Sequence, residues 1–297
     1  METRLLRYFL TLAHEENITR AAEVLHITQP TLSRQLAQLE DETGTTLFIR
    51  GKRKIELTSE GMLLRRRAEE ILTLIDRTEK ELLEQSENMT GTICLGCGEL
   101  RSFNIVAQII KTFREECPKI KFKLYTGNSD QLKEQLDQGL IDIALLLEPV
   151  NVEKYEFIRL PVKERYGVIM PAGCALAQKD YVRPDDLKGL PLITGMRNSV
   201  TGEFDNWAGG TLEQNYAFSI DLAANAVLMV EHGLGYMLTM EKVIPYFDES
   251  KVTFLPIKPE RSFSTLLAWK RYVPGSAVTE KFIQHIKCFL SMNEIKI

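Results

Sequence analysis

Apolar and polar residues near the start of the chain follow the period of an amphipathic helix. Leu32, Leu36 and Leu39 recur at the i, i+4, i+7 spacing of a stripe that packs against other elements. Thr28 can cap this helix, and Pro30 suits its first turn, where a missing N–H costs little. The pattern therefore predicts a helix that begins just after Thr28 and buries its leucine face.

The other face of this helix carries side chains that can read base edges. Its polar residues recur at i, i+3, i+4 and i+7, as Thr31, Arg34, Gln35 and Gln38, and Gln29 and Ser33 complete the predicted DNA-binding set on this helix. In a major groove, arginine matches the acceptors of guanine, and glutamine matches adenine. On an isolated helix such residues would more simply form a solvated face. The neighbouring segments favour the DNA-reading interpretation.

A short helix comes directly before the polar one. Residues Ile18–Leu25 are rich in small apolar side chains, and only His26 and Ile27 join them to the next helix. Two helices joined by so tight a turn form a helix-turn-helix, in which the first helix braces the second against DNA. An apolar stripe further upstream predicts a third helix that packs against this pair, and its residues are Leu5, Leu6, Phe9, Leu12 and Ala13.

A β-hairpin is predicted over Leu47–Leu57, because two apolar arms surround a glycine and a basic tip. The tip residues Arg50, Lys52, Arg53 and Lys54 are placed to contact phosphate or to reach a minor groove. A basic tip can also be an ordinary exposed turn. Its position after the helix pair favours phosphate contact.

The order of these parts resembles the winged helix-turn-helix of LysR-type transcriptional regulators. The residues that carry the resemblance are Ile27-Thr-Gln-Pro-Thr-Leu-Ser-Arg-Gln-Leu36, Leu39-Glu40, Gly44, Leu47-Phe48, Arg50 and Leu57-Thr58-x-x-Gly61. The resemblance is continuous over residues 1–60 and implies a sequence-specific DNA-binding transcriptional regulator, not an enzyme. It also implies its partners: double-stranded promoter DNA with an interrupted inverted repeat, further copies of this chain, and RNA polymerase.

Residues 58–89 predict one long linker helix, which Thr58 can cap. Its seam residues alternate in steps of four and three, the spacing of a heptad repeat, and they are Leu64, Ala68, Ile71, Ile75, Thr78 and Leu82. So narrow a seam suits another helix, which predicts a dimer with two reading heads for a two-fold-symmetric operator. The alternative is a helix that lies on its own domain. The family resemblance implies antiparallel pairing of these helices and a homotetramer.

From residue 91 onward, predicted strands alternate with predicted helices, which favours a parallel sheet flanked by helices. The predicted strands are Thr92–Gly96, Lys121–Thr126, Ile141–Leu147, Tyr166–Met170, Leu192–Thr194, Phe218–Ile220, Tyr236–Thr239 and Thr265–Arg271. The predicted helices are Ser102–Glu116, Asp130–Gln138, Leu222–His232 and a final helix with the stripe Val278, Phe282, Ile286 and Phe289. The fold class is therefore mixed α/β, with a winged helix-turn-helix, a long linker helix and an α/β region over residues 91–297.

The family resemblance implies that this region is a two-lobed effector-binding domain similar to type 2 periplasmic binding proteins. Lobe one would comprise residues 91–162 and 266–297, and lobe two residues 163–265. A ligand in such a fold lies between the lobes, at the carboxyl ends of strands and at helix N-termini. The loops at these positions supply the predicted effector-binding residues Glu99, Arg101, Ser102, Asn128, Ser129, Arg197, Asn198, Ser199 and Thr201.

The expected effector is an anion, because helix N-termini carry partial positive charge and Arg101 and Arg197 lie nearby. An organic acid fits these features. For Ser102 and Ser129, plain helix capping is an equal alternative. The family resemblance places effector contacts in the same loops, although it does not fix the side chains of Glu99 and Arg101.

Composition limits the remaining possibilities. A chain of 297 residues with 44% apolar and 26% charged residues is an ordinary globular protein of two or three compact units. No run of 18 apolar residues occurs, and the chain opens on an amphipathic helix and not on a secretory leader, which predicts a cytoplasmic protein without membrane contact. The net charge of −4 means that DNA binding must depend on local placement of basic groups.

The sequence offers little catalytic or metal chemistry. Five cysteines are an odd number, which does not favour a disulfide framework. Cys94 and Cys97 have CxxC spacing, but residues three apart in a strand point to opposite faces, so structural thiols are favoured over a redox or metal pair. The four histidines have no ligand spacing. Without a G-x-S-x-G elbow, a P-loop or a clean G-x-G-x-x-G, no catalytic residue, metal or cofactor is predicted. Two alternatives are disfavoured. A hydrolase would need one of these motifs, and a transport binding protein would need an export signal.

Overall fold

The computed structural model describes residues 1–51, 54–83, 90–151, 153–196, 198–212, 216–244, 246–271 and 275–292. The chain divides into two compact units, Met1–Ser86 and Glu87–Ile297. No helix in these described ranges is long and apolar enough to cross a lipid bilayer.

The first unit contains the predicted helix-turn-helix and hairpin. Its elements are α1 (Thr3–Glu15), α2 (Ile18–Val24), α3 (Gln29–Thr43), β1 (Phe48–Arg50), β2 (Ile55–Leu57) and α4 (Ser59–Leu83). The predicted stripes of α1 and α3 meet in one buried cluster that includes Leu5, Phe9, Leu12, Leu32, Leu36 and Leu39. Strands β1 and β2 pair antiparallel, so the hairpin prediction is confirmed.

The starts of the helices show which predicted caps form. Thr28 occupies the N-cap position of α3, and Pro30 lies in the first turn as predicted. The predicted side-chain cap is wrong, however, because the Thr28 hydroxyl is hydrogen-bonded to the Thr31 hydroxyl, 2.8 Å away, and not to a backbone N–H. The cap predicted at Thr58 is confirmed, since Gly61 N donates to Thr58 Oγ1 at 3.0 Å.

Helix α4 lies against α1 of the same unit over its first half. Ala68 is fully buried and packs with Leu6 and Leu72. Farther along, Arg7 pairs with Asp76 at 2.6 Å. This part of the seam therefore belongs to the core of one protomer. That is the alternative interpretation, in which the helix lies on its own domain.

The second unit is built around one mixed sheet. Its elements are β3 (Gly91–Cys97), α5 (Phe103–Glu116), β4 (Ile120–Thr126), α6 (Ser129–Gln138), β5 (Ile143–Leu147), β6 (Tyr155–Pro171), the 3₁₀ helices Ala175–Gln178 and Pro184–Leu187, β7 (Leu192–Gly195), α7 (Asn198–Ala208), β8 (Tyr216–Ile220), α8 (Ala223–Glu231), β9 (Tyr236–Met240), β10 (Val252–Pro256), β11 (Ser262–Lys270) and α9 (Ala277–Met292). The strand order is β4-β3-β5-β11-β6-β9-β7-β8, and β10 pairs with β6.

The prediction of a parallel sheet is right for the outer strands and wrong for the centre. Strands β3, β4 and β5 are parallel, as are β7, β8 and β9. Between these groups, β11 runs antiparallel to β5 and β6, and β6 runs antiparallel to β9 and β10. The mixed pattern arises because β6 and β11 join two α/β lobes.

Strand β6 is far longer than predicted, with 17 residues. Its first half pairs with β11, and its second half, from Tyr166, pairs with β9 and β10. The first half was missed because Pro161 interrupts the alternation and cannot donate a ladder hydrogen bond. The structure accommodates Pro161 opposite an irregularity of β11 between Ser264 and Leu266.

Each lobe has its own buried core. Lobe one packs β3, β5, α5 and α9 around Ile93, Phe113 and Phe282. Lobe two packs β6, β7 and α7 around Val168 and Phe204.

The cysteines of β3 lie on opposite faces of the strand, as predicted. Cys97 packs in the cluster of α5 and α9, whereas Cys94 packs with Leu132 and Leu136 of α6. Burial raises the pKa of the Cys97 thiol. None of the five cysteines, all of which lie in the described ranges, forms a disulfide bond, and this arrangement agrees with a structural role for Cys94 and Cys97.

We predict that Gly61→Ala destabilises the first unit. A Cβ at Gly61 would lie 1.9 Å from the carbonyl oxygen of Leu47, so the backbone has to shift. The expected loss is about 1–3 kcal/mol in the free energy of unfolding, measured in urea. The control is Gly202→Ala in α7, where no atom lies within 4 Å of the added Cβ. The control should be neutral or stabilising by up to about 1 kcal/mol. Equal effects of the two substitutions would contradict this interpretation.

Candidate functional site

The polar face of α3 is exposed to solvent. Its leucine stripe is buried, while Thr31, Arg34 and Gln38 are exposed and Gln35 is half-buried. Gln35 Nε2 donates to Gln38 Oε1 at 3.3 Å, and Gln38 Nε2 donates to a carboxylate oxygen of Glu42 at 2.8 Å. A surface of ordered donors and acceptors therefore runs along the helix.

Two further residues of the predicted set contact each other at the start of α3. Gln29 Nε2 donates to Ser33 Oγ at 2.8 Å. Arg34 is exposed and makes no hydrogen bond or ion pair within the described ranges. Its guanidinium is thus free to bind an external acceptor.

The hairpin is attached to α3 by a carboxylate. Glu40 Oε1 accepts hydrogen bonds from Leu47 N at 2.7 Å and Phe48 N at 3.4 Å. On the other side, Ile55 N donates to the carbonyl of Glu16 at 2.8 Å. These bonds hold the hairpin beside the polar helix.

Most of the side chains predicted to contact phosphate at the hairpin tip lie outside the described part of the chain. Lys52 and Arg53 lie outside the described residues, as does the side chain of Arg50. Lys54 is described, and it pairs with Glu16 at 3.0 Å, which raises the Lys54 pKa above its ordinary value. The positive charge of Lys54 is therefore partly balanced within the unit.

Of the predicted dimerisation residues, Leu64 and Ile71 are partly buried against the first unit, and Ala68 is fully buried there. Ile75 is half-buried. The side chain of Leu82 and the predicted end of the helix, up to residue 89, lie outside the described part of the chain.

In the second unit, a cavity of about 130 Å³ lies between the two lobes. It opens at the carboxyl ends of β3, β4, β7 and β8 and at the start of α8, where ligands bind in open α/β sheets. The predicted residues Glu99, Asn128 and Ser129 line it from lobe one. From lobe two, Met196 and Asp221 line it.

Among the described residues that line this cavity, two hydrogen bonds join the lobes across the cleft. Ala223 N, at the start of α8, donates to Glu99 Oε2 at 2.5 Å. Asn128 Nδ2 donates to Asp221 Oδ1 at 2.9 Å, while Asn128 Oδ1 caps α6 by accepting from the backbone. Glu99 and Asn128 thus each connect lobe one to lobe two.

Arg101 and Ser102 do not line the cavity. Arg101 pairs with Glu241 at 3.3 Å, and Arg165 of β6 contacts the same carboxylate at 3.3 Å. Ser102 is buried, and its backbone N donates to Glu164 Oε1 at 2.8 Å. The expected cap by the Ser102 hydroxyl is wrong, because φ −61° and ψ −19° place this residue in the helical region and not in the extended conformation of a capping residue.

The predicted residues of lobe two are only partly described. Arg197 lies outside the described residues. The backbones of Asn198, Ser199 and Thr201 form the first turn of α7, whereas their side chains lie outside the described part.

Sequence reasoning missed several residues of the cleft. Asp221 follows β8 directly and precedes α8, which is the same signal that identified the loops of lobe one. Tyr166 lines the cavity from the middle of β6, and no sequence signal distinguishes it from a core tyrosine. Over the described ranges, no group of three or more histidine, cysteine, aspartate or glutamate residues could hold a metal ion.

Comparison with known proteins agrees with both parts. Residues 3–62 match the family described as bacterial regulatory helix-turn-helix proteins of the lysR family, and residues 86–291 match the LysR substrate binding domain. The HTH-type transcriptional regulator YybE of Bacillus subtilis, itself described as uncharacterized, is 29% identical to this chain, covering 96% of this chain and 98% of YybE. The DNA-binding transcriptional dual regulator OxyR of Escherichia coli is 30% identical, covering 96% of this chain and 93% of OxyR.

Among solved structures, the LysR family transcriptional regulator CbnR superposes with a TM-score of 0.75. The superposition covers 97% of this chain and 99% of CbnR at 20% identity. CbnR is also known in full length with its target DNA, with the same TM-score. At this identity the similarity shows the fold alone.

We predict that Arg34→Ala relaxes sequence preference. Removal of an exposed, unpaired guanidinium should cost about 1–3 kcal/mol at the base pair that it reads. The measurement is selection of binding sites from a random duplex library, followed by titration of single-base variants at fixed salt. Arg114→Ala, at an exposed site in the second unit, is the control and should change neither preference nor affinity. An unchanged sequence preference in Arg34→Ala would show that Arg34 does not read a base pair.

Proposed function

Because the chain belongs to the LysR family of bacterial transcriptional regulators, we propose that α3 reads promoter DNA while a small molecule in the cleft of the second unit changes that binding. As a family member the chain is a DNA-binding transcriptional regulator with an effector-binding domain, and it is not an enzyme. The observation that carries the proposal is the exposed polar face of α3 opposite a fully buried leucine stripe.

On the DNA side, Arg34 and Gln35 are proposed to contact base edges. Supporting contacts come from the rest of the polar face, namely Gln29, Thr31, Ser33 and Gln38. Residues Arg50, Lys52 and Arg53 of the hairpin would bind phosphates and fix the orientation of the helix in the groove. The exposure of Arg34 and the Glu40 bonds that position the hairpin support this division of roles.

The proposed target is an interrupted inverted repeat in a promoter. Such a site needs two reading heads, so the functional form is a dimer or a homotetramer of this chain. Action at a promoter also implies contact with RNA polymerase, and it places the protein with bacterial DNA in the cytoplasm. Within the seam of α4, Ile75 and the seam residues after it are proposed to form the dimer interface, because Ala68 is already buried within one protomer.

A small-molecule effector is supported by the cavity and by the match to the LysR substrate binding domain. The sequence favours an organic acid held by helix starts with Arg101 and Arg197 nearby. Arg101 pairs with Glu241, however, and Arg197 lies outside the described residues. The described contacts thus give the organic acid no support.

Regulation requires that the effector bind one lobe arrangement better than another, since otherwise it shifts no equilibrium. The contacts that cross the cleft are the ones that such a shift would change. They are the bonds from Ala223 N to Glu99 and from Asn128 to Asp221, together with the Arg101–Glu241 pair.

The proposed function predicts retardation of DNA from upstream of the gene that encodes this chain. The purified full chain should shift this duplex in a gel, with weakening as salt rises because phosphate contacts release counterions. A duplex of the same length and scrambled sequence is the control. Equal binding to both duplexes would contradict sequence-specific recognition, and no binding to either would contradict recognition of this upstream DNA.

We also predict that Ile75→Glu disrupts the dimer. A charge placed on a half-buried seam position opposes helix pairing, because its desolvation is not compensated. Sedimentation equilibrium should show a lower mass than that of the unmodified chain. Thr73→Glu adds the same charge to an exposed position of α4 outside the seam and should leave the mass unchanged. An unchanged mass for Ile75→Glu would exclude the seam as the interface.

A further inference from the structure

We propose that the cleft takes a cationic effector, an organic ammonium ion with an apolar body, held between Glu99 of lobe one and Asp221 of lobe two. This inference rests on the proposed function of the cleft and names the chemical class of its ligand. The cavity itself is the binding site, and the two carboxylates determine the charge that it accepts.

The lining of the cavity is acidic within the described part of the chain. Glu99 and Asp221 both line it, and none of the described lining residues is a lysine, arginine or histidine. The carboxylate of Glu99 contacts the backbone N of Ala223, only two residues beyond Asp221. One negative group from each lobe therefore lines the cavity near the start of α8.

The present partners of these carboxylates carry no full charge. Glu99 Oε2 accepts from the backbone N of Ala223, and Asp221 Oδ1 accepts from the amide of Asn128. Each carboxylate has a second oxygen, which can accept from a ligand while these bonds remain. An ammonium group has three donors and a positive charge, so it can contact both carboxylates. A ligand carboxylate would meet two like charges in a partly enclosed space, which is unfavourable.

The two described arginines beside the cleft pair with a different carboxylate. Arg101 and Arg165 both contact Glu241, which does not line the cavity. Arg197 follows the lining residue Met196 and lies outside the described residues, so the experiment below includes it.

The other walls suit a hydrocarbon body. Apolar side chains from both lobes line the cavity, including Leu145, Leu147, Met237 and Val243. Tyr166 also lines it, while its ring packs against Phe204 and Phe263 in the core of lobe two. Apolar walls with a few polar groups at one end are typical of small-molecule sites.

Bridging of the two carboxylates would couple ligand binding to lobe closure. Glu99 belongs to lobe one and Asp221 to lobe two, so a cation between them stabilises the arrangement in which the lobes are close. The ligand thus has the differential affinity for one state that regulation requires.

The test uses the full chain and three five-carbon probes: n-pentylammonium chloride, sodium n-pentanoate and the uncharged n-pentanol. The ionic strength is matched in all titrations. Thermal shift and titration calorimetry near neutral pH should show binding of n-pentylammonium and no binding of n-pentanoate. Glu99→Gln and Asp221→Asn keep an acceptor oxygen for their present partners, so both variants should fold. Each should weaken n-pentylammonium binding by about tenfold or more, because a charged partner is lost.

The control is Glu115→Gln, which removes an exposed carboxylate at the far end of α5 and should leave n-pentylammonium binding unchanged. Preferential binding of n-pentanoate that is lost in Arg197→Gln would overturn the proposal and support an anionic effector. Binding of no probe, or n-pentylammonium binding that ignores both acidic substitutions, would also overturn it. Gel retardation of upstream DNA in the presence of n-pentylammonium tests the ligand class and the regulatory proposal separately. If n-pentylammonium binds through Glu99 and leaves DNA retardation unchanged, the ligand class stands and the regulatory proposal fails.

Discussion

Burial of the leucine stripe of α3 is the contact on which the DNA-reading surface depends. Leu32, Leu36 and Leu39 are almost completely buried, and each buried leucine contributes about 1.5–3 kcal/mol. Any rotation of α3 about its axis would expose these side chains. The rotation of the helix is therefore fixed, and with it the direction in which Arg34 and Gln38 point. Helix α1, which receives this stripe, also packs through Leu6 against α4, so the same core supports both the reading helix and the linker.

In the second unit, strand β6 has the corresponding role. Its first half belongs to the sheet of lobe one through β11, and its second half belongs to lobe two through β9 and β10. Because one continuous strand joins the lobes, side chains near the crossing point contact both of them. Glu241 lies there between Arg101 and Arg165, and Glu164 receives the backbone N–H of Ser102. The loop from Glu99 to Ser102 is thus attached to lobe two through Glu99 and Arg101 and to β6 through Ser102.

Sequence patterns located most elements, because the signals are local. The helix predicted over Ser102–Glu116 is observed as Phe103–Glu116, and the strand predicted over Leu192–Thr194 is observed as Leu192–Gly195. The failures have physical reasons that lie elsewhere in the chain. The first half of β6 is stable despite Pro161 because β11 is irregular at the facing position. The hydroxyl of Ser102 does not cap α5, and the carboxylate of Glu164, 62 positions away, accepts the backbone N–H of Ser102 instead.

The sequence by itself determined the periodicity, and with it the two faces of α3, the hairpin, the long linker helix and the alternating α/β order of the second unit. Periodicity is a property of neighbouring residues, so it can be read without a fold. Only the tertiary structure decided which partners the polar groups find. Glu99 and Ala223 are 124 positions apart, yet the carboxylate of Glu99 accepts the backbone N–H of Ala223 at the start of α8, a helix start that the sequence did not assign to the ligand site. Charge in a cleft is a sum over residues brought together by folding, and for that reason the sequence predicted a cleft but not its acidity.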